Sequence, residues 1–164
     1  MIETTWLQMA LIAGLSGVLL WSAIEDIRKR EIPNTAVVSV LILYCIYSIA
    51  GFSDWQNGLI AAVVIFIPTF LLFQFGVFGG GDAKMMTVVA PFMGLKALSL
   101  FLLIVAVAGA LLALGMALHG IWSRRRQSRE TIIEEVRTLS IPYGVAIAAG
   151  GMLPILSLIH SRGF

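Results

Sequence analysis

FGGGDAKMMTVVAPFMGLK, from Phe78 to Lys96, is the stretch on which the fold turns. It opens with three glycines, an aspartate and a lysine, then runs apolar from Met85 to Leu95. The chain around it is 164 residues long, 59% hydrophobic and only 12% charged. A soluble domain is nearer half apolar and a quarter charged, so this composition points to a membrane protein. The question is whether the apolar half, Ala83–Leu95, is one more crossing of the bilayer.

Five other runs approach the roughly 20 apolar residues that a spanning helix needs. They are Thr5–Ile24, Thr35–Phe52, Gly58–Phe75, Ala97–Leu118 and Ile141–Ile159. No alternating pattern of the barrel kind occurs. Before the first run the only charge is Glu3, and the run is longer than the apolar core of a signal peptide, so it reads as a retained helix. The basic residues then decide the count. Arg28, Lys29 and Arg30 follow the first run, Lys84 precedes the short one, and Arg124, Arg125, Arg126, Arg129 and Arg137 follow the fifth. If Ala83–Leu95 crosses, all nine fall on one side and only Lys96 and Arg162 on the other. Positive residues stay in the cytoplasm, which makes those loops cytoplasmic and puts both termini outside. The expectation is one all-α membrane domain over residues 1–164, with six transmembrane helices and a short fourth one after a Gly-rich loop.

That fourth helix has a consequence for depth. Its thirteen residues cover roughly 20 Å, against a hydrocarbon core of about 30 Å. With Lys96 at the outer interface, Asp82 falls roughly 10 Å short of the inner one. The loop before it must dip inward, and irregular backbone at depth needs protein or water around it. Glycines at 79, 80 and 81 suit such a loop, by unusual dihedrals and by close approach of other chains. On local sequence alone Asp82 also reads as an ordinary N-cap.

Asp26 closes the first run at the same membrane face. A plain reading pairs it with Arg30 in a charged juxtamembrane turn. Against that, a helix C-terminus disfavours negative charge. Ionisable residues near membrane depth are costly and mark sites. Two facing carboxylates can share one proton, one activating a water while the other polarises a peptide carbonyl. This chemistry needs no metal, cofactor, cysteine or serine.

The remaining features read more plainly. Cys45, the single cysteine, reads as a small buried hydrophobe. The RRRQSR run, residues 124–129, reads as topology-setting charge and not as a nucleic-acid patch. TIIEEVRTL, residues 131–139, is either an interfacial helix or a solvated loop helix. Trp6, Trp21, Trp55 and Trp122 fall near span ends, as an aromatic belt does. Pro68 and Pro91 lie inside spans, where kinks are tolerated. Met85 and Met86 read as core, and His119 and His160 as interfacial residues at opposite faces.

Together these motifs match a family. Gly79-Gly80-Gly81-Asp82, followed by Ala83 and Lys84, resembles the GxGD motif of membrane aspartyl proteases. The Tyr-Asp of presenilin-like members is missing. DIRKREIPN, Asp26 to Asn34, resembles the first motif of the type IV prepilin peptidases, and Ile141-Pro142-Tyr143-Gly144 is similar to a segment at their final helix. The resemblance covers residues 26–144. It implies that Asp26 and Asp82 are the catalytic pair, that Gly79 and Gly81 shape the loop, and that Lys84 is adjacent to the site. It implies a bacterial inner-membrane peptidase cutting prepilin leaders on the cytoplasmic side, after a glycine and before an apolar helix, with no metal or cofactor and no nucleic-acid partner. Long members carry a four-cysteine zinc site with N-methyltransferase activity. A chain with Cys45 alone departs from that pattern, so methylation is not implied and the resemblance is to the short Tad/Flp-pilus form. The rival reading is a non-enzymatic transporter or pilus-assembly component that uses the two aspartates as a proton or cation site. It requires acidic residues reachable from both faces, and the outer side offers little beyond Asp54.

Overall fold

The computed structural model describes residues 2–123 and 142–153. Within them the chain is all-α: α1 is Ile2–Lys29, α2 Asn34–Ile49, α3 Trp55–Gln74, α4 Gly80–Ser123 and α5 Tyr143–Gly151. No strand occurs among the described residues. Three stretches, Trp6–Lys29, Trp55–Gln74 and Gly80–Leu118, are long and apolar enough to cross a membrane. α2, at 16 residues, is apolar but shorter. Six crossings are therefore not established. The arginine-rich run, the 131–139 segment, His160 and Arg162 lie outside the described residues, as do the side chains of His119 and Trp122.

The long α4 is not one rod. Gly94 breaks it with φ 56° and ψ −178°, a region that only glycine enters readily. The contacts on either side show what the break does. Gly80 lies against Phe73 at the end of α3, whereas the Leu95 N–H donates to Asn57 Oδ1 at 2.9 Å at the start of α3. Fifteen residues past the break, Gly109 is against Tyr143, whose ring lies 5.4 Å from that of Phe78. The chain thus runs from the Phe78 end of the bundle to the Asn57 end and back. The first arm, residues 80–93, measures roughly 20 Å at 1.5 Å per residue. Asn57 supplies the acceptor that the first turn of the second arm lacks within its own helix. Its own helix is capped by Asp54, whose Oδ1 accepts from the Gln56 and Asn57 N–H groups at 3.0 and 3.4 Å.

The core follows from this layout. Leu15 and Leu19 of α1, Met85, Met86 and Val89 of the first arm, Phe101 of the second arm and Ile147 of α5 are all but sealed from solvent. At the Asn57 end Tyr44, Tyr47, Phe52 and Phe92 stack edge to face or tilted, with centroids 5.2–5.5 Å apart. Apart from Ile147, the buried residues of α5 are all glycine or alanine. Gly150 meets Phe101 and Val105, and Gly151 meets Leu19 and Val89, each closer than a Cβ would permit without displacement. The outward faces of α2 and α3 expose Val38, Leu41, Ile42, Val63, Phe66 and Ile67, as lipid-facing helices do.

Two expectations change. Cys45 is exposed, beside Tyr44, Leu59 and Val88 on an apolar groove between α2, α3 and α4. In lipid a small apolar side chain has no reason to be buried in protein. Gly79, Gly80 and Gly81 do not use the left-handed region either; among the described glycines positive φ occurs at Gly51, Gly76 and Gly94. Pro68 and Pro91 do lie inside helices, and the break comes three residues after Pro91.

The break gives a stability prediction. Gly94→Ala should cost about 1–3 kcal/mol, because no L-residue adopts that backbone without strain. Gly17→Ala, exposed on α1 with nothing within 4 Å of its added Cβ, should raise stability by about 0.5–1 kcal/mol. Thermal unfolding of the two variants in detergent measures both.

Candidate active site

α1 continues beyond the expected end of the first span, through Lys29, and carries Asp26 in its last turn. The helix ends because Arg30 turns left-handed, with φ 57°, while its N–H still reaches the Asp26 carbonyl at 2.9 Å. In the same turn Lys29 Nζ pairs with Glu25 Oε2 at 2.7 Å. Asp26 itself points inward and is only 6% exposed. Its Oδ2 accepts the Gly144 backbone N–H at 2.7 Å, across 118 positions of sequence. That length is typical of a charge-assisted bond.

Asp82 arrives from the other direction. α4 begins at Gly80, so Asp82 is its third residue and not its N-cap. The Gly79 carbonyl accepts the first helical bond, from the Ala83 N–H at 3.0 Å. The carboxylate folds back toward the helix start, where a Cβ on Gly79 would stand 2.5 Å from Oδ2. Gly81 faces the linker that follows α1; a Cβ there would stand 3.1 Å from that of Ile32. These glycines are there for contact. They let the start of α4 close onto the segment that leaves Asp26. Lys84, one turn into the helix, donates from Nζ to Asn34 Oδ1 at 3.3 Å and ties α4 to the first residue of α2.

One cavity results, of about 360 Å³, lined by Asp26, Arg30, Glu31, Ile32, Asn34, Gly79, Gly80, Gly81, Asp82 and Lys84. Every lining residue comes from one of two sequence stretches, 26–34 and 79–84. All five residues singled out from the sequence, Asp26, Gly79, Gly81, Asp82 and Lys84, are brought together here. The two aspartates line the same cavity, one from each stretch. The volume exceeds that of a few waters and suits a short length of extended peptide. Among the described residues no three His, Cys, Asp or Glu side chains converge as metal ligands would.

Ile32, Asn34, Arg30 and Glu31 belong to the quoted first motif, yet nothing in their local pattern singles them out from it. The bond between Gly144 and Asp26 has no local signal in the sequence either, beyond the Pro-Tyr-Gly turn at the start of the last apolar run.

Comparison with known proteins gives the same direction. The model of the type IV leader peptidase family matches residues 13–114, which include both aspartates. The prepilin leader peptidase/N-methyltransferase of Bacillus subtilis is 28% identical over 142 residues, covering 85% of this chain and 52% of that protein. The chain thus spans about half the length of the curated relative it matches. No solved structure matches. With a family model matching well over half of its length, the chain belongs to the type IV leader peptidase family.

Proposed function

We propose that the protein is a membrane aspartyl endopeptidase that removes leader peptides from type IV prepilin-like substrates of the Flp type. The observation that carries this reading is the shared cavity of Asp26 and Asp82, two carboxylates 56 residues apart in sequence and adjacent in the bundle.

In this reading the ionised member of the pair takes a proton from a water as the water oxygen attacks the scissile carbonyl carbon. The protonated member donates a hydrogen bond to the carbonyl oxygen and gives up its proton as the tetrahedral intermediate forms. Collapse of the intermediate breaks the C–N bond. The leaving nitrogen takes a proton from the acid that formed in the first step, while the other carboxylate takes back a proton from a hydroxyl of the intermediate as the carbonyl re-forms, so the pair returns to its starting charge. Lys84 and Arg30 add positive charge at the rim. The apolar segment that follows the cut stays in the bilayer, against the exposed faces of the bundle.

The distribution of basic residues supports a cytoplasmic position for this cavity, in a bacterial inner membrane. Arg28, Lys29, Arg30 and Lys84 all lie at the cavity end, and Lys96 lies at the Asn57 end. The same arrangement supports the six-span topology with both termini outside.

Co-expression with a Flp-type prepilin tests the reading, with leader loss followed by gel mobility. Asp26→Asn and Asp82→Asn keep shape and remove charge; each should lower cleavage by roughly 10²- to 10⁴-fold at unchanged expression. Cleavage at the parental rate in either variant would remove that residue from the mechanism. Gly81→Val should press a branched side chain onto Ile32 and displace Asp82 relative to Asp26. A displacement of this kind lowers turnover by up to roughly 100-fold, so a parental kcat would show that the close approach at Gly81 is dispensable.

A further inference from the structure

A carboxylate as buried as that of Asp26, 6% exposed at the wall of the cavity, needs hydrogen-bond donors. At Asp26 the helix it sits on works against it, because the end of α1 carries the negative pole of the dipole. The compensation comes from α5. Gly144 is the second residue of that helix, and the first N–H groups of a helix have no partner within it. Pro142, at the cap position, offers no side-chain bond to them. The Asp26 carboxylate takes this role from 118 residues away, its Oδ2 receiving the Gly144 N–H at 2.7 Å in a buried contact. The positive pole of α5 thereby faces the negative charge.

The position admits only glycine. A Cβ at residue 144 would stand 2.8 Å from Asp26 Oδ2, 3.0 Å from its Cβ and 3.1 Å from its Cγ. Two further close contacts hold the helix in register: Gly150 on Phe101 and Val105, and Gly151 on Leu19 and Val89. With Oδ2 committed to α5, Oδ1 is the oxygen left for the cavity.

We propose that Gly144 is a positioning residue for the peptidase reaction: its backbone N–H fixes the Asp26 carboxylate so that a single oxygen is presented to the substrate and water. This rests on the reading of Asp26 as one of the catalytic pair. Gly144 lies beyond the 13–114 range matched by the family model.

The test removes the N–H and adds no atoms. Replacing Gly144 by glycolic acid in the full-length protein, through nonsense suppression, turns that amide into an ester. The same exchange at residue 145, whose N–H bonds the Pro142 carbonyl at 3.3 Å, is the control for a weakened first turn. The ester at 144 should lower kcat for prepilin cleavage in proteoliposomes roughly 10- to 100-fold. KM and the thermal midpoint should match those of the control, and the control should keep its kcat. Equal kcat in the two esters would overturn the proposal. If the ester at 144 does not accumulate, Gly144→Ala carries the test. Its Cβ meets the carboxylate while the N–H remains, so kcat should fall with KM intact, and a parental kcat would overturn the proposal. Asp26→Asn separates the two levels. Cleavage by that variant removes Asp26 from catalysis, whereas an inactive Asp26→Asn beside a fully active ester at 144 removes only the role of Gly144.

Discussion

A buried carboxylate in a nearly uncharged bundle has to be met by donors, and the bond from the Gly144 N–H to Asp26 is where this chain meets that requirement. It joins the last turn of α1 to the first turn of α5. Each end supplies what the other lacks: α1 brings an acceptor in an unfavourable place, and α5 brings a donor without a partner. With that bond made, α1 and α5 have a fixed relation at the cavity end, and the Leu19, Val89 and Gly151 contact fixes them further along.

The second constraint is spacing between backbones. Asp82 shares a cavity with Asp26 because the start of α4 comes down onto the 30–33 linker, and that approach is limited by Ile32 against Gly81. At the far end of the same arm, Gly94 turns the chain back and Asn57 receives the Leu95 N–H. A short arm held at both ends sets the depth of Asp82 within the bundle. Glycine acts in two different ways along this one arm: as absent volume at Gly79 and Gly81, and as permitted backbone at Gly94.

Much of this was legible in the sequence, for identifiable reasons. Length and apolarity gave the helices. The confinement of arginine and lysine to certain loops predicts a reversal near Lys96, and the helix breaks two residues before it, at Gly94. The two motif stretches gave every residue that lines the cavity. What stayed hidden had physical causes. The apolar run ends at Ile24, but hydropathy reports where lipid ends and not where hydrogen bonding ends; the helix runs on to Lys29 and carries Asp26 in its last turn. The exposure of Cys45 is not readable from sequence because, in a bilayer, protein-facing and lipid-facing sides are equally apolar and no periodicity separates them. The Gly144 contact was invisible because no local pattern links residues 118 apart. Gly79 and Gly81 stand out in the sequence as a glycine run, but the contacts they make with Asp82 and Ile32 belong to the folded chain.

The central claim is that residues 26 and 82 occupy one cavity at one end of the bundle. Thiol cross-linking in native membranes tests it most directly. In a Cys45→Ala background, Asp26→Cys with Asp82→Cys should be joined rapidly by a short bifunctional thiol reagent. Asp26→Cys with Leu95→Cys, at the Asn57 end, should not be joined. A 26–82 product no more abundant than the 26–95 product would contradict the account.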